Sequence, residues 1–217
     1  MRLMAIGAHS DDAELACGGT LASAVAQGHE VRLLVLTESS YAGLAGDVLR
    51  TKDEAWNEAL DAAKVLGIQE HQVRFLPFLT KELPYTAQTI AEVERELNAF
   101  RPDVILTHWP FDTHQDHRNA ALSTISAGRY FNSILMYEPM MPAGRSYVGF
   151  RPQVYVDVSD FIGQKLEALR RHASQYAKYG EDWIEAVESR CRLRGFEIGC
   201  RYAEAFEAVR FQWVLGG

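Results

Sequence analysis

Two short runs of the sequence place histidine beside carboxylate. The first is Ala8-His9-Ser10-Asp11-Asp12, directly after an apolar stretch, and the second is His114-Gln115-Asp116-His117, far downstream. Imidazole and carboxylate groups form catalytic zinc sites, which use about three protein ligands and keep one position open. The two runs therefore predict a divalent metal site, provided that the fold brings them together.

His9, Asp12 and His117 are the expected metal ligands, since they supply two imidazoles and one carboxylate. Zn2+ is the expected cofactor because it favours this donor set in hydrolases. Fe2+ or another divalent metal remains an alternative, because two histidines and a carboxylate also suit non-haem iron.

Asp11, His114 and Asp116 are the expected catalytic residues. A bound metal lowers the pKa of water, and Asp11 is placed to take the proton. His114 could stabilise an oxyanion or protonate a leaving group, and Asp116 could hydrogen-bond His114 and fix its tautomer. These roles together predict metal-assisted hydrolysis of a carbonyl compound.

The segments that carry these residues alternate between strand and helix patterns. Strands are predicted over 3–8, 31–37, 73–76, 103–108, 133–138 and 153–158. Helices are predicted over 13–28, 52–66, 86–99, 117–128 and 160–178, with a weaker helix within 181–193 and a short strand or extended tail at 206–211. This alternation predicts an α/β fold that is Rossmann-like, a mostly parallel sheet with helices on both faces.

The predicted strand order places the two motifs side by side. In the Rossmann-like order the first and fourth strands are neighbours, and ligands bind beyond their carboxyl ends. His9 follows the first predicted strand, and His108, His114 and His117 follow the fourth. His108 is expected near the cleft without a ligand role, and Asp112 is equally compatible with a turn or a site role.

Composition sets limits on the class of protein. A chain of 217 residues suits a single domain over residues 1–217, and the net charge of -7 argues against nucleic acid or an anionic membrane as partner. No apolar run suits a membrane span, and no signal peptide is expected before the first strand. The three cysteines lack CxxC spacing, so we expect a cytoplasmic protein. A homo-oligomer is left open by apolar residues near the C-terminus, of which Trp183 and Phe211 are examples.

The two motifs resemble those of the LmbE/PIG-L family of zinc-dependent N-acetylglucosaminyl deacetylases, written AHPDD and HPDH. The similarity includes Glu14, Gly18-Gly19-Thr20, Glu58, Leu66-Gly67 and Tyr137-Glu138, and it spans roughly residues 1–140. The resemblance implies a Rossmann-like fold and removal of acetyl, or another acyl group, from the 2-amino group of a sugar conjugate. The implied partner is a small N-acylated amino-sugar substrate.

The resemblance also implies site roles for residues of this chain. His9, Asp12 and His117 would be zinc ligands, Asp11 the general base, and His114 the residue that faces the tetrahedral intermediate. These are the roles that the residue types suggest on their own.

Several positions depart from the family pattern. Ser10 and Gln115 replace the usual prolines, and Ala55 stands where many members have a substrate-binding arginine. We expect Arg50 to take over that contact and Trp109 to stack on a sugar face. The segment 139–152 is predicted to be a substrate lid or a long connection.

Other functions compete with deacetylation of an amino sugar. One is an amidase or deacylase acting on a non-sugar natural-product intermediate, and another is a non-catalytic metal-binding member of the family. Dinucleotide binding is disfavoured, because the GxGxxG spacing is absent and aspartates occupy the turn that would hold a phosphate.

Overall fold

The computed structural model describes residues 1–43, 45–140 and 146–213. The strands are β1 (Arg2–Gly7), β2 (Glu30–Thr37), β3 (Tyr41–Ala42), β4 (Val48–Arg50), β5 (Val73–Phe78), β6 (Val104–Thr107), β7 (Ile134–Tyr137), β8 (Val154–Asp157) and β9 (Ala203–Arg210). The helices are α1 (Asp12–Ala26), α2 (Lys52–Val65), α3 (Ala87–Phe100), α4 (Gln115–Ala127), α5 (Ile162–Arg171) and α6 (Ala173–Ile198), with a 3-10 turn at Glu70–Gln72.

The central sheet has seven strands in the order β5-β2-β1-β6-β7-β9-β8. The strands from β5 to β7 pair in parallel, whereas β9 pairs antiparallel with both β7 and β8. Ile6 at the end of β1 lies opposite Thr107 at the end of β6. The predicted mostly parallel α/β sheet is confirmed, and the first and fourth predicted strands are neighbours.

Strand β1 is buried on both faces, as expected for the centre of a parallel sheet. Leu3 and Ala5 belong to a core cluster with side chains of α1 and α2. Met4 and Ile6 point the other way and belong to a second cluster with side chains of α3 and α4. Helices therefore cover both faces of the sheet, as the sequence predicts.

Helix α1 is interrupted at Cys17, where the backbone is not helical, with φ -138 and ψ 22. The break frees the N–H groups of Gly19 and Thr20, which donate to the Glu204 carboxylate of β9 at 2.9 and 2.7 Å. The buried Lys165 ammonium donates to the same carboxylate at 2.5 Å. Burial opposes the charge on Lys165, but Glu204 outweighs it and raises the lysine pKa. This cluster fixes α1 against strand β9. The first turn of α1 carries Asp12.

The C-terminal helices differ from the prediction. The predicted helix 160–178 is divided at His172, whose ψ of 69 lies outside the helical range. The weaker helix predicted within 181–193 is part of α6, which begins at Ala173 and passes through a break at Gly180 (φ 67, ψ -162). The expected C-terminal strand is present as β9. The short β3–β4 hairpin lies in a segment for which no strand or helix is predicted.

The structure bears only in part on the predictions about a membrane span and a lid. None of the helices within the described ranges is long and apolar enough to cross a membrane. The middle of the predicted lid segment, residues 141–145, lies outside the described residues. The assignment of residues 1–217 to a single domain stays a prediction.

Candidate active site

The two predicted motifs meet at the carboxyl ends of β1 and β6. His9, Asp11 and Asp12 follow β1, whereas His108 follows β6 and His114 precedes α4. A cavity of about 280 Å³ opens over this edge, and all five of these residues line it. The site therefore occupies the switch point of the sheet, where α/β folds bind ligands.

Two histidines of the site face each other and are each backed by a carboxylate. The His9 Nδ1 and His117 Nε2 atoms are 3.2 Å apart. The opposite ring nitrogens contact carboxylates, His9 Nε2 at 3.0 Å from Asp116 and His117 Nδ1 at 2.9 Å from Asp112. Carboxylates that accept from the outer nitrogens leave lone pairs on the two facing nitrogens of the neutral rings. Such lone pairs need a proton or a metal ion between them.

Asp12 completes this arrangement at the start of α1. Its oxygens lie 3.4 Å from His117 Nε2 and 3.6 Å from His9 Nδ1. Zinc bonds of about 2.0–2.2 Å to nitrogen and oxygen place tetrahedral ligands roughly 3.3–3.6 Å apart. The distances among His9, Asp12 and His117 are close to this spacing, with Asp12 Oδ1 facing His117 and Asp12 Oδ2 facing His9.

The electric field of the site favours a cation. Burial opposes the charged form of His117, but the Asp12 and Asp112 carboxylates outweigh it and raise the pKa of His117 to about 9. Burial likewise opposes the charge on Asp12, yet His117, His108 and His9 hold its pKa well below the usual range. Among the residues that the structure describes, two sets of three have donor atoms within 4.8 Å of one another, namely His9, His114 and His117, and Asp12, His108 and His117. The donor chemistry therefore fits a divalent metal, with His117 in both sets.

His108 lies deeper in the cluster of candidate ligands than its sequence position suggested. Its Nε2 atom is 2.9 Å from Asp12 Oδ2 and 3.0 Å from the backbone N of Ala8. Its ring stacks on that of His117, with centroids 4.2 Å apart, and burial lowers the pKa of His108. Because Nε2 accepts from the Ala8 N–H, it has no proton to donate to Asp12, so His108 and Asp12 present two acceptor atoms 2.9 Å apart at the edge of the cluster. The only sequence signal was its position after a predicted strand.

Asp116 is buried in a different environment from the one predicted. Its carboxylate accepts from the backbone N–H groups of Lys81 at 2.6 Å and Leu83 at 3.1 Å, and it contacts His9. The expected bond from this carboxylate to His114 is wrong. Instead the Asp116 backbone N–H donates to His114 Nδ1 at 3.2 Å, which places the proton of the neutral ring on Nε2.

The side chains of His114 and Asp11 face the cavity and make few hydrogen bonds to other described residues. Burial, followed by the nearby His117 and His9 rings, lowers the pKa of His114 to about 4, so the ring is neutral near pH 7. The half-buried Asp11 carboxylate accepts no hydrogen bond from the residues that the structure describes. A neutral N–H donor and a free carboxylate therefore border the cluster of candidate metal ligands.

The structure places the two predicted substrate contacts in different surroundings, and the role of Arg50 stays a prediction. Arg50, at the end of β4, lines the cavity and is 3% exposed. Trp109 is 2% exposed and is not among the cavity residues, because its Nε1 donates to Glu207 of β9 at 3.2 Å and its ring packs against Phe111 and Phe150. The expected sugar stacking by Trp109 is wrong.

The outer wall of the cavity was not foreseen from the sequence. It is formed by the β3–β4 hairpin and the first part of α6, with side chains Tyr41, Gln175, Lys178, Tyr179 and Trp183. No local motif marks these residues, because only the return of α6 over the sheet brings them to the site.

Comparison with known proteins places the chain in a family. The GlcNAc-PI de-N-acetylase family, PIG-L, matches residues 4–127. The diacetylchitobiose deacetylase of Thermococcus kodakarensis is 30% identical over 227 residues, covering 96% of this chain and 83% of the relative. The chain therefore belongs to the PIG-L family, as the motifs predict.

Proteins whose solved structures share this fold catalyse different reactions. The N,N'-diacetylchitobiose deacetylase from Pyrococcus horikoshii, complexed with its inhibitor, has a TM-score of 0.81 and 22% identity and covers 96% of this chain and 83% of its own. The 4-carboxy-2-hydroxymuconate hydratase GalB from Pseudomonas putida KT2440 has a TM-score of 0.79 and 21% identity and covers 100% and 98%. Because the fold supports both a deacetylase and a hydratase, the reaction must be argued from the site.

Proposed function

We propose that this chain is a metal-dependent hydrolase that removes an N-acetyl or other N-acyl group from an amino-sugar conjugate. The observation that carries the proposal is the 3.2 Å approach of His9 Nδ1 and His117 Nε2 beside a free Asp11 carboxylate. The identity of 30% with a diacetylchitobiose deacetylase supports the substrate class.

His9, Asp12 and His117 would hold the metal, with Zn2+ preferred and Fe2+ as the alternative. When bound, such an ion supplies a Lewis acid that polarises a carbonyl and lowers the pKa of water. Asp116 and Asp112 keep the two histidines oriented by accepting from their outer nitrogens, a device that strengthens metal ligands.

Asp11 would act as the general base. Its free carboxylate takes a proton from the attacking water as the new C–O bond forms at the amide carbon. The proton then passes to the leaving amine as the C–N bond breaks. Asp11 is thereby restored to its carboxylate form. The second proton of the water stays on the released acid, which ionises to acetate beside the free amino sugar.

His114 would stabilise the tetrahedral intermediate. Its Nδ1 accepts from the Asp116 backbone N–H, so Nε2 carries the proton of the neutral ring. An N–H donor that is held in place before the reaction stabilises negative charge as it develops on the acyl oxygen.

The direct test is acetate release from N-acetylglucosamine and N,N'-diacetylchitobiose by protein loaded with Zn2+ or Fe2+. We expect hydrolysis that a chelator abolishes and that one equivalent of metal restores. A protein that binds stoichiometric metal but hydrolyses only non-sugar N-acyl amines would support the amidase alternative. A protein that binds no metal would contradict the proposal. Localisation in the cytoplasm and a homo-oligomeric state stay predictions.

A further inference from the structure

The loop between β5 and α3 has a strained backbone where it borders the cavity. Lys81, which lines the cavity, has a φ of 69, in the left-handed region that residues other than glycine rarely occupy. Arg101 also has a positive φ, but it ends α3, where a left-handed residue is common. Lys81 is far from any helix end. A residue keeps such a conformation only where its surroundings hold it there, and this kind of strain concentrates at functional sites.

Three side chains of α4 hold the backbone of this loop. The Asp116 carboxylate accepts from the N–H groups of Lys81 and Leu83, at 2.6 and 3.1 Å. The side-chain amide of Gln115 donates to the Lys81 carbonyl at 3.0 Å. The side-chain amide of Asn119 donates to the Leu83 carbonyl at 2.8 Å. One helix therefore binds the N–H and the carbonyl group of both loop residues.

The bonds to Lys81 fix the two peptide groups on either side of its Cα atom. Asp116 holds the peptide that contains the Lys81 N–H, and Gln115 holds the peptide that contains the Lys81 carbonyl. With both peptides held, the backbone of Lys81 stays left-handed. Without the Gln115 bond, the second peptide is free to rotate, and relaxation of φ turns the N–H away from Asp116.

This loop is connected to the candidate metal site through one carboxylate. Asp116 Oδ2, which accepts the Lys81 N–H, also lies 3.0 Å from His9 Nε2. The groups that orient a metal-binding histidine contribute to metal affinity, and they act only while they are themselves held in place. The strained loop therefore supports His9 at one remove.

We propose that Gln115 is a positioning residue for the metal site, because it holds the strained loop whose N–H groups fix the Asp116 carboxylate against His9. This inference rests on the proposed function, since it takes His9 as a metal ligand. It gives a role to the residue that stands where the family pattern has proline. Proline has no side-chain donor for the Lys81 carbonyl, so this support is specific to chains with an amide at this position.

The test measures Zn2+ affinity of the metal-free protein by competition with a chromogenic chelator. Gln115→Met keeps the length of the side chain and removes its donor. We expect it to weaken Zn2+ binding by about 3- to 10-fold, which is the factor that one neutral hydrogen bond contributes. Gln88→Met is the matched control, since Gln88 is exposed in the first turn of α3, and it should bind Zn2+ as tightly as the wild-type protein.

Two further readouts separate positioning from a general loss of stability. Glycine adopts a positive φ without the strain of lysine, so adding Lys81→Gly to Gln115→Met should restore the Zn2+ affinity to within about 2-fold of wild type. A general loss of packing would not be restored by shortening an exposed lysine. Amide hydrogen exchange reports on the loop without metal, and the Lys81 and Leu83 amides should exchange about 3- to 10-fold faster in Gln115→Met.

A wild-type Zn2+ affinity in Gln115→Met would overturn the inference, as would a weakened affinity that Lys81→Gly does not restore or unchanged exchange of the two amides. Failure of the proposed function has a different result. In that case the variants keep the expected order of Zn2+ affinities, but the metal-loaded wild-type protein releases no acetate from N-acetylglucosamine or N,N'-diacetylchitobiose. A wild-type protein that binds no Zn2+ would contradict both.

Discussion

The substitution Asp116→Asn tests how the site keeps His9 ready for a metal. The buried carboxylate accepts from Lys81 N at 2.6 Å and Leu83 N at 3.1 Å, and lies 3.0 Å from His9 Nε2. Asparagine has the same shape but only one accepting oxygen. Its NH2 group must therefore face at least one N–H donor, and the charge that polarises His9 is lost.

The expected loss follows from these contacts. A hydrogen bond to a charged group contributes about 1.5–3 kcal/mol, and carboxylates behind metal-binding histidines contribute about 10- to 100-fold to metal affinity. We expect Asp116→Asn to weaken Zn2+ binding by about 10- to 100-fold. Unfolding of the metal-free protein should also become easier by about 1–3 kcal/mol, because a buried donor loses its acceptor.

Competition with a chromogenic chelator measures the metal affinity, and urea unfolding measures the stability. Asp61→Asn on the exposed face of α2 is the control, since it removes the same charge far from the hydrogen-bond network. If the Zn2+ affinity of Asp116→Asn lies within about threefold of the affinities of the wild-type protein and Asp61→Asn, this carboxylate does not support His9 as a metal ligand.

Three further substitutions test other parts of the account. Lys165→Met should lower the free energy of unfolding by about 3–5 kcal/mol, because it leaves the buried Glu204 carboxylate without its cation. A decrease in the free energy of unfolding below about 1 kcal/mol, measured by urea unfolding, would contradict this. His114→Ala should reduce kcat by about 10²–10³-fold with metal content unchanged, and steady-state kinetics with kcat near wild type would remove it from the mechanism. Gly19→Ala should destabilise by about 1–3 kcal/mol, since the new Cβ would lie 2.7 Å from Val158 Cβ; an unchanged thermal midpoint would show that α1 can shift freely.

The position of the His–Asp cluster could be predicted because it depends on local patterns and one general rule of topology. Apolar runs ending in polar motifs defined β1 and β6, and parallel βαβ connections made them neighbours. His9 and His117 had to follow those strands. Their approach to within 3.2 Å is a consequence of the sheet order.

The partners of individual side chains could not be predicted, because they depend on distant segments. Asp116 is satisfied by the loop that contains Lys81 and Leu83, and Trp109 is drawn into the interior by Glu207 on β9. Strand β9 inserts between β7 and β8, an arrangement that alternation of strands and helices does not indicate.

The outer wall was missed for a related reason. Lys178 lies on α6, whose sequence is typical of an amphipathic helix and carries no motif. The break at Gly180, with φ 67, divides this helix beside the cavity. Only the folded chain brings Lys178 to Tyr41.

The most direct measurement of the central claim is acetate release by Asp11→Asn, determined together with its bound metal. We expect about one equivalent of metal, as in the wild-type protein, and a rate of N,N'-diacetylchitobiose or N-acetylglucosaminide hydrolysis lower by about 10²–10⁴-fold, because the amide cannot accept the proton from water. Near wild-type turnover by the metal-loaded variant would contradict the account.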